Sequence, residues 1–200
     1  AWSPDGEKLA FRGMKNGESD LYYYHFADSS CVPVTNDRFA RLQPSWHPDG
    51  ESLWCATDQL VPGQIDHFPG YINLARVNLS SGDPEVFRTF DGARNVNPEV
   101  VHEKVLFLSN RDGYRNLYWL EPQTGEIEQV TNIQSGITGM TEMSAALSAN
   151  ETDAYYSVLQ GGAFQIIKTP VDSLLDAAAP VQAGTFQYRK ARLSPWSEHF

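Results

Sequence analysis

One self-similarity constrains this chain more than any other feature. Trp2-Ser3-Pro4-Asp5-Gly6-Glu7-Lys8-Leu9-Ala10-Phe11 returns 44 residues later as Trp46-His47-Pro48-Asp49-Gly50-Glu51-Ser52-Leu53-Trp54-Cys55. A fixed period of this length marks a repeat architecture, in which each unit is one supersecondary motif. The shared Pro-Asp-Gly is a turn with a mechanism. Pro presets φ at the first corner, Asp caps the turn, and Gly supplies positive φ. An apolar stretch lies on each side, so the block reads as a β-hairpin.

A second block follows each hairpin. Asn116-Leu117-Tyr118-Trp119-Leu120 and its Gly125-containing turn match Asn73-Leu74-Ala75-Arg76-Val77 and its Gly82-containing turn at an offset of 43. A short strand comes next, at Glu85-Val86-Phe87 or Glu128-Gln129-Val130-Thr131. The first unit has the same plan in Asp20-Leu21-Tyr22 and Val32-Pro33-Val34-Thr35. The fourth follows in register, through Leu147-Ser148-Ala149, Ala154-Tyr155-Tyr156 and Gln165-Ile166-Ile167. Four short strands, a to d, in each unit of forty-odd residues are the signature of a propeller blade.

The expected fold is therefore all-β: a β-propeller of about four blades with four antiparallel strands each, and part of a larger propeller. The repeats fall near 1–43, 44–96, 97–142 and 143–170, together spanning 1–170. The remainder, 171–200, reads as a short helix over Val171 to Ala179 and an irregular C-terminal segment. The third repeat has lost its Pro-Asp-Gly turn, at Pro98-Glu99-Val100-Val101-His102-Glu103-Lys104. The second has an insertion between Thr57 and Tyr71. Insertions of this kind map to loops at blade ends.

Composition agrees and narrows the function. The chain is 41% hydrophobic and 12% aromatic, with 15 Gly and 12 Pro, a mix suited to short strands and tight turns. A formal charge of −10 repels a polyanion, which argues against nucleic acid as a partner. The basic cluster Tyr188-Arg189-Lys190-Ala191-Arg192 reads as a solvated terminal segment. No run approaches the roughly 18 apolar residues of a membrane helix. Cys31 and Cys55 form neither a disulfide framework nor metal-ligand spacing, and leave the redox compartment open. The chain opens inside a repeat, at Ala1-Trp2-Ser3, and no signal peptide is visible.

The repeat wording closely resembles the TolB-type propeller: Trp-Ser-Pro-Asp-Gly-x-x-Leu-Ala-Phe, then Asn-Gly or Arg-Asp-Gly, Leu-Tyr and Val-Thr. The same repeat occurs in tricorn-type proteases and in many bacterial envelope proteins. The resemblance spans roughly residues 1 to 170. It is specific in repeats 1 and 2. It is carried in repeat 3 by Phe107-Leu108-Ser109-Asn110-Arg111-Asp112-Gly113 and Asn116-Leu117-Tyr118. The stretch from Asn110 to Ser148 also looks like large envelope proteins that set a propeller beside a peptidase-like domain or a membrane barrel. The resemblance implies a rigid scaffold, periplasmic or otherwise exported, that binds proteins or peptides and has no catalytic residues on the propeller itself.

Catalytic patterns are correspondingly sparse. There is no Gly-x-Ser-x-Gly elbow, no His-Glu-x-x-His and no phosphate-binding Gly loop. His25, His47, His67 and His199 are isolated in sequence. Asp5 and Asp49 could pass for paired carboxylates, but each sits in its own hairpin turn. Pro4, Asp5, Gly6, Pro48, Asp49 and Gly50 are thus read as structural turn residues. Trp2 and Trp46 occupy equivalent positions, which favours packing between blades over ligand stacking. The expectation is no catalytic residue, no metal and no cofactor.

The b–c loops are the better candidates. They are Lys15-Asn16-Gly17-Glu18, Thr57 to Gly70, Asn110 to Arg115 and Gln160-Gly161-Gly162, on the face shared with the d–a loops. Asp66, His67, Phe68, Arg111, Asp112, Tyr114 and Arg115 are the candidate binding residues for a protein or peptide partner. The leading reading is a non-catalytic interaction scaffold of the bacterial cell envelope. The rival is the accessory propeller of a larger peptidase, tricorn- or prolyl-oligopeptidase-like, whose catalytic domain lies outside this chain. A self-contained propeller enzyme would need carboxylates or histidines clustered at the central channel, and the sequence does not suggest them. Four blades are expected to leave an open arc, whose end faces would associate with further blades or domains of the same polypeptide.

Overall fold

The computed structural model describes residues 1–15, 17–64, 71–141 and 144–181, which fold into four antiparallel sheets. The first sheet runs β1 (Lys8–Lys15), β2 (Glu18–His25), β3 (Ser30–Pro33). The second runs β4 (Arg41–Trp46), β5 (Ser52–Thr57), β6 (Asn73–Asn78), β7 (Pro84–Phe87). The third begins with β8 (Asn95–Val101), β9 (Lys104–Ser109), β10 (Asn116–Leu120) and β11 (Ile127–Gln129). The fourth holds β12 (Leu147–Ala149), β13 (Asp153–Gln160) and β14 (Ala163–Pro170). A helix, α1 (Val171–Asp176), lies inside the stretch read as helical from sequence. After it the chain turns back, and β15 (Ala179–Pro180) pairs with β11 as a fifth strand of the third sheet.

The strand counts therefore depart from a uniform four. In the first sheet the a position is a single bridge, Trp2 to Leu9. In the fourth sheet no d strand follows β14 among the described residues, because the chain after β14 goes into α1 and β15.

Local chemistry explains the hairpins. Gly6 and Gly50 donate their N–H groups to Ser3 O and His47 O at 2.9 and 3.0 Å, closing the two Pro-Asp-Gly turns. Their φ values are +74° and +70°, a region that costs glycine little and other residues more. The Asp5 carboxylate accepts from Glu7 N at 2.9 Å and from the Ser3 hydroxyl at 2.5 Å. Asp49 accepts from Glu51 N at 2.7 Å and also takes the Arg76 guanidinium at 2.6 Å. The third sheet replaces this turn by two residues, His102 and Glu103, both at positive φ between the paired Val101 and Lys104.

A repeated clip explains the Leu-Tyr and Val-Thr wording. The Thr35 hydroxyl donates to Asp20 at 2.9 Å and accepts from Leu21 N at 3.0 Å. Thr131 donates to Asn116 at 2.9 Å and accepts from Leu117 N at 2.9 Å. Thr89 donates to Asn73 at 3.3 Å. Each Thr ties the end of a d strand to the start of its c strand, and Thr35 and Thr131 also satisfy a backbone N–H that the short d strand leaves over.

The sheets pack face to face. Ala10, Leu21 and Val34 of the first meet Trp46, Leu53, Cys55 and Val77 of the second. Trp54 and Leu74 meet Val105, Phe107, Tyr118 and Leu120 of the third. Leu117 and Trp119 meet Leu147, Ala154, Tyr156 and Val158 of the fourth, where Val171 and Leu174 of α1 join the cluster. Trp46 is the inter-sheet residue its position implied, and its Nε1–H donates to Ala1 O at 3.0 Å. Trp2 departs from that reading. It is 60% exposed and stacks on Phe26, ring centroids 5.2 Å apart, because its side of the first sheet meets no other sheet among the described residues.

Candidate functional site

The loop from Asn110 to Arg115 joins β9 to β10. Gly113 N donates to Asn110 O at 2.9 Å, and Asn110 Oδ1 accepts from Arg94 N at 2.7 Å, so the loop is tied both to itself and to the segment entering β8. The Arg111 guanidinium lies over the Phe90 ring at 4.8 Å, with Nε 3.7 Å from Asp112. The other Asp112 oxygen accepts from the Tyr118 hydroxyl at 2.9 Å. Burial, and then the Asp112 carboxylate, push the Tyr118 phenol above its ordinary range, so it serves as a fixed neutral donor. Arg115 is buried and its carbonyl accepts from Ile137 N at 2.8 Å, while Tyr114 is 57% exposed.

The loop is a ridge between two clefts. On one side Arg111 and Asp112 face Gln129, Thr131, Asn132 and Pro180. On the other, Tyr114 and Arg115 face Gly136, Thr138, Met140 and Thr141, and Met140 is 89% exposed. The ridge thus offers one aromatic and one thioether side chain to solvent beside backbone and hydroxyl polar groups. That set suits an extended chain better than a small buried ligand.

Of the sequence candidates, Arg111, Asp112, Tyr114 and Arg115 come together on this ridge. Asp66, His67 and Phe68 lie outside the described residues. Lys15 pairs with Glu18 at the tip of its hairpin, and Gly161-Gly162 make a two-residue turn between Gln160 and Ala163. Pro4 to Gly6 and Pro48 to Gly50 sit in the turns described above. Sequence reasoning missed the walls supplied by Ser135–Thr141 and by β15. The first carries no periodic signal, and the second joins its cleft only through the return of the chain after α1.

Three other polar sites stand out. Arg41 is fully buried, donating to Thr57, to Asp37 at 2.7 Å and to Gln59 at 2.7 Å. Asp91 accepts from Arg88 at 2.7 Å, Tyr71 at 2.8 Å and Gln64 at 3.2 Å. The Arg88 guanidinium foremost holds its carboxyl down at about 2. Both networks pair their charges internally and read as structural, although the buried Arg41 Nε has no hydrogen-bond partner among the described residues. On the inner strands, Glu99 accepts from the Ser45 hydroxyl at 2.9 Å. Burial raises the Glu99 carboxyl to about 7, against the opposing effects of Ser45 and the amino terminus. Among the described residues no group of three or more His, Cys, Asp or Glu could hold a metal ion. No helix there is long and apolar enough to cross a membrane.

Comparison with known proteins bears on the fold. No family model matches the chain. Dipeptidyl-peptidase 5 of Porphyromonas gingivalis is 22% identical over 90% of this chain and 28% of its own length. The Tol-Pal system protein TolB of Francisella tularensis subsp. mediasiatica is 25% identical over 59% of this chain and 26% of its own. The crystal structure of TolB from Acinetobacter baumannii superposes with a TM-score of 0.68 at 16% identity, covering 86% of this chain and 40% of that one. The chain thus spans between about a quarter and two fifths of the length of these relatives. At such identities it is the architecture that is shared. The fold of this chain is that of the β-propeller found in TolB.

Proposed function

We propose that the four sheets are successive blades of a propeller, with boundaries near 1–43, 44–96, 97–142 and 143–170 and a separate segment over 171–200. In this reading the chain is a non-catalytic scaffold of the bacterial envelope, exported to the periplasm, that holds an extended peptide or a protein segment. It needs no cofactor. The contact surface is the loop face, with Arg111, Asp112, Tyr114 and Arg115 at its centre; Asp66, His67 and Phe68, which lie outside the described residues, are proposed from sequence as further contacts.

The observation that carries the reading is the ridge between two open clefts. Exposed Tyr114 and Met140 stand beside it, while its own charges are already engaged: Arg111 with Phe90 and Asp112, Asp112 with Tyr118. Rigid aromatic anchors beside satisfied polar groups favour recognition over bond making.

A second reading is supported by the likeness to dipeptidyl-peptidase 5: the chain would be the accessory propeller of a peptidase, presenting peptides to a catalytic domain elsewhere. Both readings expect the pure chain to leave peptide and ester substrates uncleaved. Selection from a displayed library of random extended peptides tests the shared core. Binders should be recovered by the wild-type chain and lost with Tyr114→Ala and Arg111→Ala. Turnover of a general protease or esterase substrate, abolished by one point substitution, would overturn the scaffold.

A further inference from the structure

We infer that the outer edge of β14 is a docking edge for an extended segment of a partner protein, added as an antiparallel strand whose last two residues are apolar and then Thr or Ser. This edge is distinct from the loop ridge proposed above.

The argument starts from Ser157. Its N–H donates to Ala146 O at 3.1 Å and its carbonyl accepts from Thr138 N at 3.1 Å, so both backbone groups point away from β14. Ser157 is paired with Ile166, which is therefore a non-hydrogen-bonded pair. The N–H and C=O of Ile166 consequently point to the outer side, as do those of Phe164 and Lys168 two residues either way. No strand takes them among the described residues.

The other sheets show what belongs there. Within the repeat, Ile166 is the counterpart of Leu21, Leu74 and Leu117. Leu21 accepts from Val34 N at 2.8 Å and donates to the Thr35 hydroxyl at 3.0 Å. Leu117 accepts from Val130 N at 2.9 Å and donates to the Thr131 hydroxyl at 2.9 Å. In these two sheets the occupant is an extended segment ending Val-Thr, and beside Leu74 it is Phe87-Arg88-Thr89. In the fourth sheet the stretch that would make it has become α1 and β15, and β15 is committed to the third sheet. The counterpart of Asp20, Asn73 and Asn116 is Gln165, which keeps an amide oxygen able to accept from an incoming hydroxyl. Ile166 is 78% exposed and Phe164 53%, so an incoming strand also gains apolar contact. Main-chain pairing at an open edge supplies affinity, and alternate side chains supply selectivity.

The probe is a fluorescein-labelled peptide with the sequence of this chain's own 126–132, Glu-Ile-Glu-Gln-Val-Thr-Asn, added to the intact chain. Saturable binding is expected, weakened at least tenfold when the peptide Thr is replaced by Val. Ile166→Pro deletes an outward N–H without cutting a β13–β14 bond, and should weaken binding by a similar factor at an unchanged melting temperature. If that variant fails to fold, hydrogen exchange on the wild type still decides. The amides of Phe164, Ile166 and Lys168 should exchange fast alone and slow with peptide. Absence of saturable binding, binding unaffected by either substitution, or slow exchange of those amides in the free chain would overturn the inference. The last outcome would mean that the strand is supplied in cis. Because these readouts are confined to β14, they stand or fall apart from Tyr114 and Arg111.

Discussion

At the scale of single residues, backbone conformation and burial make the sharpest claims. Gly50 sits at φ +70° with open space where a Cβ would stand, so a substitution there is opposed by conformation and not by crowding. Gly50→Val should cost about 1 kcal/mol or more, since a β-branched residue resists positive φ. An unchanged denaturation midpoint would contradict this. Glu99 makes a pH claim whose sign can be worked out. Its folded value of about 7 lies above the ordinary 4.5, so the fold prefers the protonated form. The stability this preference contributes is complete below about pH 4.5 and is lost as pH rises through 7. Glu99→Gln keeps an acceptor for Ser45 and removes that loss. It should gain on wild type between pH 5 and 8 by as much as about 3 kcal/mol. Parallel stability curves for the two proteins across that range would refute it. Cysteine reactivity divides the same way. Cys31 is exposed, while Cys55 is buried with its thiol pushed up to about 12 by desolvation. A thiol reagent should titrate one cysteine in the native chain and both in denaturant.

At the scale of elements, the turn between β8 and β9 places His102 and Glu103 at φ of 49° and 64°, a two-residue geometry that Asn-Gly adopts at less cost. The double change His102→Asn and Glu103→Gly should therefore stabilise the chain, by about 1 kcal/mol in thermal or chemical melts, despite losing the His102–Glu151 contact at 2.9 Å. A lower melting temperature would mean that this contact outweighs the backbone gain. Such local geometry is what a sequence states most clearly. Pro-Asp-Gly, Leu-Tyr and Val-Thr were readable because each encodes a turn or a clip closed within about fifteen residues. The shortened third turn was readable as a deletion. Other features were hidden because their partners are distant in the chain. Gln43 and Asn97 adopt positive φ at bulges in β4 and β8, and Gln43 Oε1 accepts from Asn97 N at 3.0 Å across 54 residues. Nothing near Ala179 in sequence announces that it pairs with Gln129. The ridge was legible in half. Arg111 to Arg115 stand out as a charged, aromatic loop, but Met140 joins it only through the connection from the third sheet to the fourth, and β15 only through the return of the chain after α1.

At the scale of the molecule, each internal interface joins the forward face of one sheet to the backward face of the next, and the two end faces have no such neighbour among the described residues. On the fourth sheet Tyr155, Leu159, Phe164 and Ile166 are exposed, whereas Trp54 and Leu74 of the second sheet and Leu106 and Leu117 of the third are fully buried on the corresponding faces. On the first sheet the far face carries Phe11 stacked on Tyr22 at 5.9 Å, with Tyr24, Phe26 and exposed Trp2 beside them. By the repeat, these two faces are the halves of one more interface, so copies of the 200-residue chain should meet head to tail through them. Burying one side chain of this size gains about 1.5–3 kcal/mol, and several act together, enough to offset much of the cost of association. Sedimentation of the chain should show concentration-dependent assembly. Phe164→Lys with Ile166→Lys should shift it to monomer while leaving the internal cores intact. A wild-type monomer with one cooperative melt across the concentration range would show that the end faces are stable when wet, and the proposed equivalence of the end faces with the inner ones would fail.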